Sequence, residues 1–218
     1  MIKKTNLGEK KSKLVYGVGI NDADYVVNVW ETVGYSEDGR QLQKLVWRCP
    51  FYRTWRSMLE RCYSQKLHSV RPTYIGCSVV EEWRTFSNFK TWMEQQDWQD
   101  NQLDKDILTP GNKVYGPKYC AFVSGMVNSF VTERDASRGE WPIGVYRHKE
   151  CQKFQAMCNN PFTRKQEYLG IFTCPNEAHK AWLKRKQELA TLLAAIQTDP
   201  RIAKALVNRY MSPKTQKC

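Results

Sequence analysis

Long apolar runs are missing from this 218-residue chain. With no stretch of about 18 consecutive apolar residues, no helical membrane span is expected. The basic segment MIKKTNLGEKKSK is followed by no apolar core of the kind a secretory leader needs, so a cytoplasmic protein is expected. Close cysteine pairs are missing too. None of the eight cysteines forms a C-x-x-C pair, the spacing that structural zinc sites favour. Reduced, mostly buried thiols are therefore expected. Only Cys49, Cys62, Cys77 and Cys120 fall together in the middle of the chain, and a zinc site would have to be drawn from them. Histidine is scarce: His68, His148 and His179 lie far apart, and none stands at ligand spacing from a cysteine or aspartate. That argues for surface or core roles rather than catalysis. Internal repeats and low-complexity stretches are also absent.

Acidic residues are in deficit. There are 22 Asp and Glu against 34 Lys and Arg, for a formal charge of +12 and a pI near 9.3. Such a balance favours polyanionic partners, because each phosphate neutralised releases counterions. The charge comes with 8 Trp and 11 Tyr, so the chain has rings both to bury and to stack. Its length allows one or two domains with a real core.

Residues 1–47 read as a basic arm followed by a β-hairpin region. The hairpin signal is LVYGVGINDADYVV over residues 14–27, with Asn21-Asp22 at its turn, and residues 34–44 read as a polar loop. From Tyr52, the apolar residues Tyr52, Trp55, Met58, Leu59 and Cys62 recur at helical spacing and predict a core-facing helix. Residues 70–80 are β-rich but broken by Pro72 and Gly76. Trp83, Phe86, Phe89 and Met93 mark a second helix. A charged, small-residue stretch over 132–141 reads as a linker. After it come three short β-rich runs, a long helix over 176–197, and a last helix opened by Asp199-Pro200 and running to about Met211.

The segment LDKDILTPGNKVYGPKYCAFVSGMVN, residues 103–128, predicts a strand, a loop turning at Pro110-Gly111-Asn112, a strand and a helix capped by Ser124. In that layout, and in the preceding tryptophan-rich helices, residues 48–131 resemble the ββα-metal region of phage HNH endonucleases. The resemblance implies a loop asparagine at Asn112 and a helix ligand at Asn128. It also implies a histidine base where this chain has Lys105 or Asp106. A lysine of ordinary pKa is protonated at neutral pH and cannot accept the proton. Asp104, Asp106 and Asn128 offer hard oxygen ligands to Mg²⁺ only if a nuclease survives in this altered form. No other cofactor is expected, and a scaffold without catalysis is the favoured reading.

The most informative stretch is PIGVYRHKECQKFQAMCNNPFTRKQEYLGIFTCPNEAHKAW, residues 142–182. The order G-V-x-x-x, K-F-x-A, Y-L-G-x-F and E-A-x-x-A resembles the Apetala-two/ethylene-response-factor DNA-binding domain of plants. That domain also occurs in phage and mobile-element proteins, often beside HNH regions. The resemblance implies that residues 142–218 form a three-stranded antiparallel sheet packed on a long helix, with the uncovered face entering the DNA major groove. Alternation along the second strand puts Phe154, Ala156 and Cys158 toward the helix, against Ala178, Ala181 and Trp182. Lys153, Gln155, Met157 and Asn159 then point the other way. Tyr146 and His148 fall where the family has base-contacting arginines, Gln166 falls at another, and Tyr168 stands at its tryptophan. With those arginines replaced, the plant target sequence is not expected to carry over. Gln155 and Asn159 are suited to adenine edges, while Arg147, Lys149, Lys153, Arg164 and Lys165 are suited to phosphates.

The expected fold is therefore α+β: an HNH-like ββα middle region, then a small three-stranded sheet on a long C-terminal helix. The expected function is phage-type binding of double-stranded DNA without catalysis, in the cytoplasm of a host cell. The alternatives are an HNH-type nickase or endonuclease targeted by the sheet, and a basic interaction protein that inhibits or redirects a host enzyme. The residues do not specify an oligomeric state.

Overall fold

The computed structural model describes residues 14–132 and 140–211. The basic arm over 1–13, most of the expected linker, and the tail from 212 lie outside the described residues. The described chain mixes helices and strands and divides into two compact units. The first holds everything up to Gln99 together with Gly111–Cys120, and the second holds Asp100–Pro110 and everything from Ala121 onward.

The first unit is built on β1 (Asn28–Tyr35), β2 (Gln41–Arg48), α1 (Pro50–Tyr63), α2 (Gln65–Val70), β3 (Ser78–Val79), α3 (Phe86–Glu94) and β5 (Val114–Tyr115); β4 (Asn101–Asp104) belongs to the second unit. Pro50 opens α1, where its missing N–H costs no hydrogen bond. All five residues of the helical stripe, Tyr52, Trp55, Met58, Leu59 and Cys62, are buried. Tyr52 and Trp55 pack their rings against Phe86, and Trp83, Phe89 and Met93 are buried as well. The Trp55 indole N–H donates to the Trp83 carbonyl at 2.8 Å, so this ring brings no orphaned donor into the core.

Two local expectations give way here. Residues 14–27 form no hairpin turning at Asn21-Asp22; a single antiparallel bridge joins Val15 to Gly19 instead. Gly19 lies so close to Trp55 and Leu59 that a Cβ would collide with both side chains. Ile20 exchanges backbone bonds with Arg84 and Phe86, and the Asp22 carboxylate accepts from the Ser87 N–H and hydroxyl at the start of α3. The turn chemistry of Asn21-Asp22 thus serves a helix terminus. The hairpin instead joins β1 to β2 through residues 36–40, with register shifts at Val29/Trp30 and Thr32/Gly34. Those irregularities and the exposure of both faces erase the alternation by which a strand is read. Residues 70–80 are mostly not strand either: a short 3-10 turn spans Pro72–Tyr74, and only Ser78–Val79 pairs, in parallel, with β5.

The second unit holds β4 (Asn101–Asp104), β6 (Ala121–Ser124), α4 (Gly125–Val131), β7 (Val145–Arg147), β8 (Phe154–Asn159), β9 (Gln166–Phe172), α5 (Pro175–Ala195) and α6 (Pro200–Met211). Strands β4 and β6 pair antiparallel, and the Ser124 hydroxyl accepts from the Val127 N–H to cap α4. The apolar side chains of this element, among them Ile107, Val123, Val127 and Phe130, share one core with Trp182, Leu189 and Leu193 of α5 and Ile202, Leu206 and Tyr210 of α6. Burial at roughly 1.5–3 kcal/mol per large side chain holds β4, β6 and α4 to the C-terminal helices. Their partners therefore lie in the region expected to be a separate domain. The strand–strand–helix order is as expected, and that order alone does not make the element a nuclease.

Strands β7, β8 and β9 form a three-stranded antiparallel sheet in that order, and α5 packs on it. Asp199 caps α6, accepting from the Arg201 N–H and guanidinium, which holds its carboxyl below the usual range. Leu192 of α5 is exposed. Among the described residues no helix is long and apolar enough to cross a membrane.

Candidate nucleic-acid interface

Cross-strand pairing fixes which side chains share a face. Val145 pairs with Ala156, and both are buried against Ala178 of α5. Phe154 is half-buried on this side, stacked edge-on against Trp141, and Cys158 is buried too. The opposite face carries Tyr146 opposite Gln155, Met157 opposite Tyr168, and Asn159 opposite Gln166. Tyr146 and Tyr168 stand well out in solvent, at 48% and 59% exposed. The sheet thus has a covered apolar side and an open side of rings, amides and one thioether.

The open side also holds Ile171, opposite Gln155 and 39% exposed. Strict alternation from Tyr168 would have put Gly170 and Phe172 there. A bulge intervenes: Ala156 pairs with Gly170 and Met157 with Tyr168, so Leu169 is the extra residue. Gly170, at φ +126°, adopts a backbone conformation that side chains disfavour. Phe172 then turns back toward the covered side. The glycine inside a β-rich run was the available signal for this bulge.

His148 lies at the end of β7 in the turn to β8. Its N–H donates to the Lys153 carbonyl, and its ring nitrogen accepts from the Glu150 N–H. Arg147 pairs opposite Phe154, on the covered side, and its guanidinium donates to Gln152. Arg147, Lys149, Lys153, Arg164 and Lys165 are all exposed. Arg164 and Lys165 sit in the β8–β9 turn, which is organised by buried Asn160. The Asn160 side-chain oxygen accepts from the N–H groups of Phe162 and Thr163, and its amide donates to Glu167 at 2.7 Å. Arg185 of α5 then grips Glu167 through two nitrogens and Glu188 through a third. The Arg185 and Asn160 hydrogen bonds hold the Glu167 carboxyl below its ordinary pKa.

The residues singled out by the nuclease resemblance are engaged locally. Asp104 accepts the N–H groups of Asp106 and Ile107 at the end of β4, while burial and then the charge of Asp106 push its carboxyl up. Lys105 is largely buried, with its ammonium 3.1 Å from Asp106. The Asn128 amide donates to Gln102 at 2.6 Å. In the first unit, Asn112 donates to the Val114 carbonyl and accepts its N–H, closing a local turn. No group of three or more His, Cys, Asp or Glu side chains placed to hold a metal occurs among the described residues. The Asp104 carboxylate is engaged by the backbone of the loop after β4, and that of Asp106 lies against Lys105. Cys49, Cys62, Cys77 and Cys120 are buried, and no disulfide joins any of the described cysteines.

Over 56 residues the chain is 38% identical to an ethylene-responsive transcription factor of Arabidopsis thaliana, a match covering 26% of this chain and 19% of that protein. The chain spans about a fifth of the length of the curated relative it matches. This supports an Apetala-two-like segment here. No family model matches the chain, and no solved structure matches it.

Proposed function

We propose that this is a sequence-reading DNA-binding protein that lays the open face of β7–β8–β9 in the groove of duplex DNA and cuts no strand. The observation that carries this reading is the two-sided sheet. A face covered by α5 leaves Tyr146, Gln155, Met157, Asn159, Gln166 and Tyr168 together on the open side, with Lys153, Arg164 and Lys165 nearby. A charge of +12 and similarity to a transcription factor support it.

Affinity for duplex DNA is expected to fall steeply as salt rises, in proportion to the phosphates neutralised. Salt-insensitive binding, or none at low salt, would sink the proposal. Gln155→Ala combined with Asn159→Ala should cost specificity, because a good bidentate hydrogen-bond pair to a base is worth about 1–3 kcal/mol of discrimination. Lys153→Ala should weaken binding to all sequences alike and lower the salt slope by about one unit.

A nuclease reading draws on the β4–β6–α4 order with acidic residues at the end of β4. Supercoiled plasmid incubated with Mg²⁺ or Mn²⁺ tests it. Robust nicking abolished by Asp106→Ala or Asn128→Ala would replace the non-catalytic reading. The Lys105–Asp106 pair, with its lysine buried, argues against that result.

A further inference from the structure

Beside the open face of the sheet lies a cleft of about 640 Å³ within the second unit. Pockets of roughly 300–1,000 Å³ accommodate small organic ligands. Tyr146, Met157, Asn159 and Gln166 of the open face form one wall, continued by Arg164 of the β8–β9 turn. Gly125, Met126 and Ser129 of α4 form the facing wall. Phe130, Trp182 and Tyr210 border it from the core, where all three are buried, and the Lys186 ammonium sits 3.5 Å from the centre of the Phe130 ring while donating to the Phe130 carbonyl. The chemistry is thus sorted: the exposed ring of Tyr146 and side-chain amides on one wall, and a guanidinium at the turn.

Four of the lining residues also belong to the face proposed to read DNA. Any strand lying on that face passes the mouth of the cleft. A nucleotide offers what these walls would take: a flat π-surface for the Tyr146 ring, donor and acceptor edges for Asn159 and Gln166, and a phosphate for Arg164. A paired base cannot enter, because its edges and faces are already engaged in the duplex. We propose that the cleft accepts one unpaired nucleotide of the bound DNA, so that the protein prefers duplexes carrying an extrahelical base. This rests on the sheet being the DNA-binding face.

The test compares a fully paired duplex with the same duplex carrying a single-nucleotide bulge, by fluorescence anisotropy at one salt concentration. Stacking of one base on the Tyr146 ring predicts about tenfold tighter binding of the bulged duplex. Ser129→Trp fills the cleft from α4, where residue 129 is exposed and off the sheet. This variant should abolish the preference and leave affinity for the paired duplex unchanged. Met126→Trp, also exposed on α4, should do the same and guards against a folding defect in the first variant. Equal affinity for the two duplexes overturns the cleft proposal while leaving the DNA-binding reading intact. So does a preference that persists in both variants, or a free deoxynucleoside monophosphate that binds as tightly as the bulged DNA. Binding of neither duplex overturns both.

Discussion

The β1–β2 hairpin and the β7–β8–β9 sheet are both antiparallel, and both carry aromatic side chains into solvent. On the hairpin these are Trp30, Tyr35 and Trp47, joined by exposed Val29, Val33, Leu42 and Val46. Nothing distinguishes its two faces, and its charge is balanced: Glu31, Glu37 and Asp38 against Arg40, Lys44 and Arg48. On the sheet one face is closed by α5, and residues 142–172 carry basic side chains in excess over Glu150 and Glu167. A two-stranded hairpin alone is marginal in water, whereas a third strand and a covering helix create an inside and an outside. The exposed rings of the sheet acquire a direction from that packing; those of the hairpin do not. Basic charge gathers on the element that has a defined outer face.

The difference can be broken or sharpened by substitution. The largest effect is expected from Trp182→Ala. The ring is buried where β7, α5 and α6 meet and stacks on His179, so its loss should cost about 3–5 kcal/mol by urea unfolding. Gly144→Ala comes next. Its φ of +79° disfavours a side chain, and a Cβ there would overlap the Trp182 ring. Crowding of this kind costs about 1–3 kcal/mol, read from the same unfolding curves. Glu167→Gln should act through pH. The native carboxyl titrates below its unfolded value, so the unfolded state holds more protons between the two values and stability rises with pH across that window. The stabilisation is fully present above the ordinary glutamate range and lost on acidification. The glutamine variant should flatten that acid limb, by about 1 kcal/mol or less for a partly exposed ion pair. The smallest effect is expected on the hairpin, where Val33→Thr should stay within about 0.5 kcal/mol. A loss there as large as that of Trp182→Ala would mean that the hairpin has a covered face after all, and the contrast would collapse.

The same contrast explains what could be read from the residues. Where one face is buried, the pattern was legible. The α1 stripe from Tyr52 to Cys62, the inward Ala156 and Cys158, the Ser124 cap and the proline opening α6 all follow from periodicity or local chemistry. Where both faces are wet, as in β1 and β2, no alternation exists to be read. Asn21-Asp22 misled because an aspartate that starts a turn and one that caps a distant helix look alike in one dimension. Ile171 escaped because a single bulge reverses the parity of everything beyond it. The association of β4, β6 and α4 with α5 and α6 was illegible for a different reason: it is set by residues far apart in the chain, and periodicity carries no information about partners. The individual placement of His148 and Arg147 also depended on turn geometry that composition does not encode.

The β8–β9 turn is tied at both ends before anything touches it. Asn160 holds the turn's own N–H groups and clasps Glu167, and Glu167 is anchored by Arg185 to the helix behind the sheet. Fixing a residue's backbone costs about 1–2 kcal/mol of conformational entropy, a debt normally settled at the moment of association. Here the loop bearing Arg164 and Lys165 has met that cost during folding. The turn is preorganised, so its bound lifetime should depend on the interactions it makes, with little loss to loop ordering. Asn160→Ala would turn a rigid edge into a floppy one, and the change should appear as slower productive encounter as well as weaker binding.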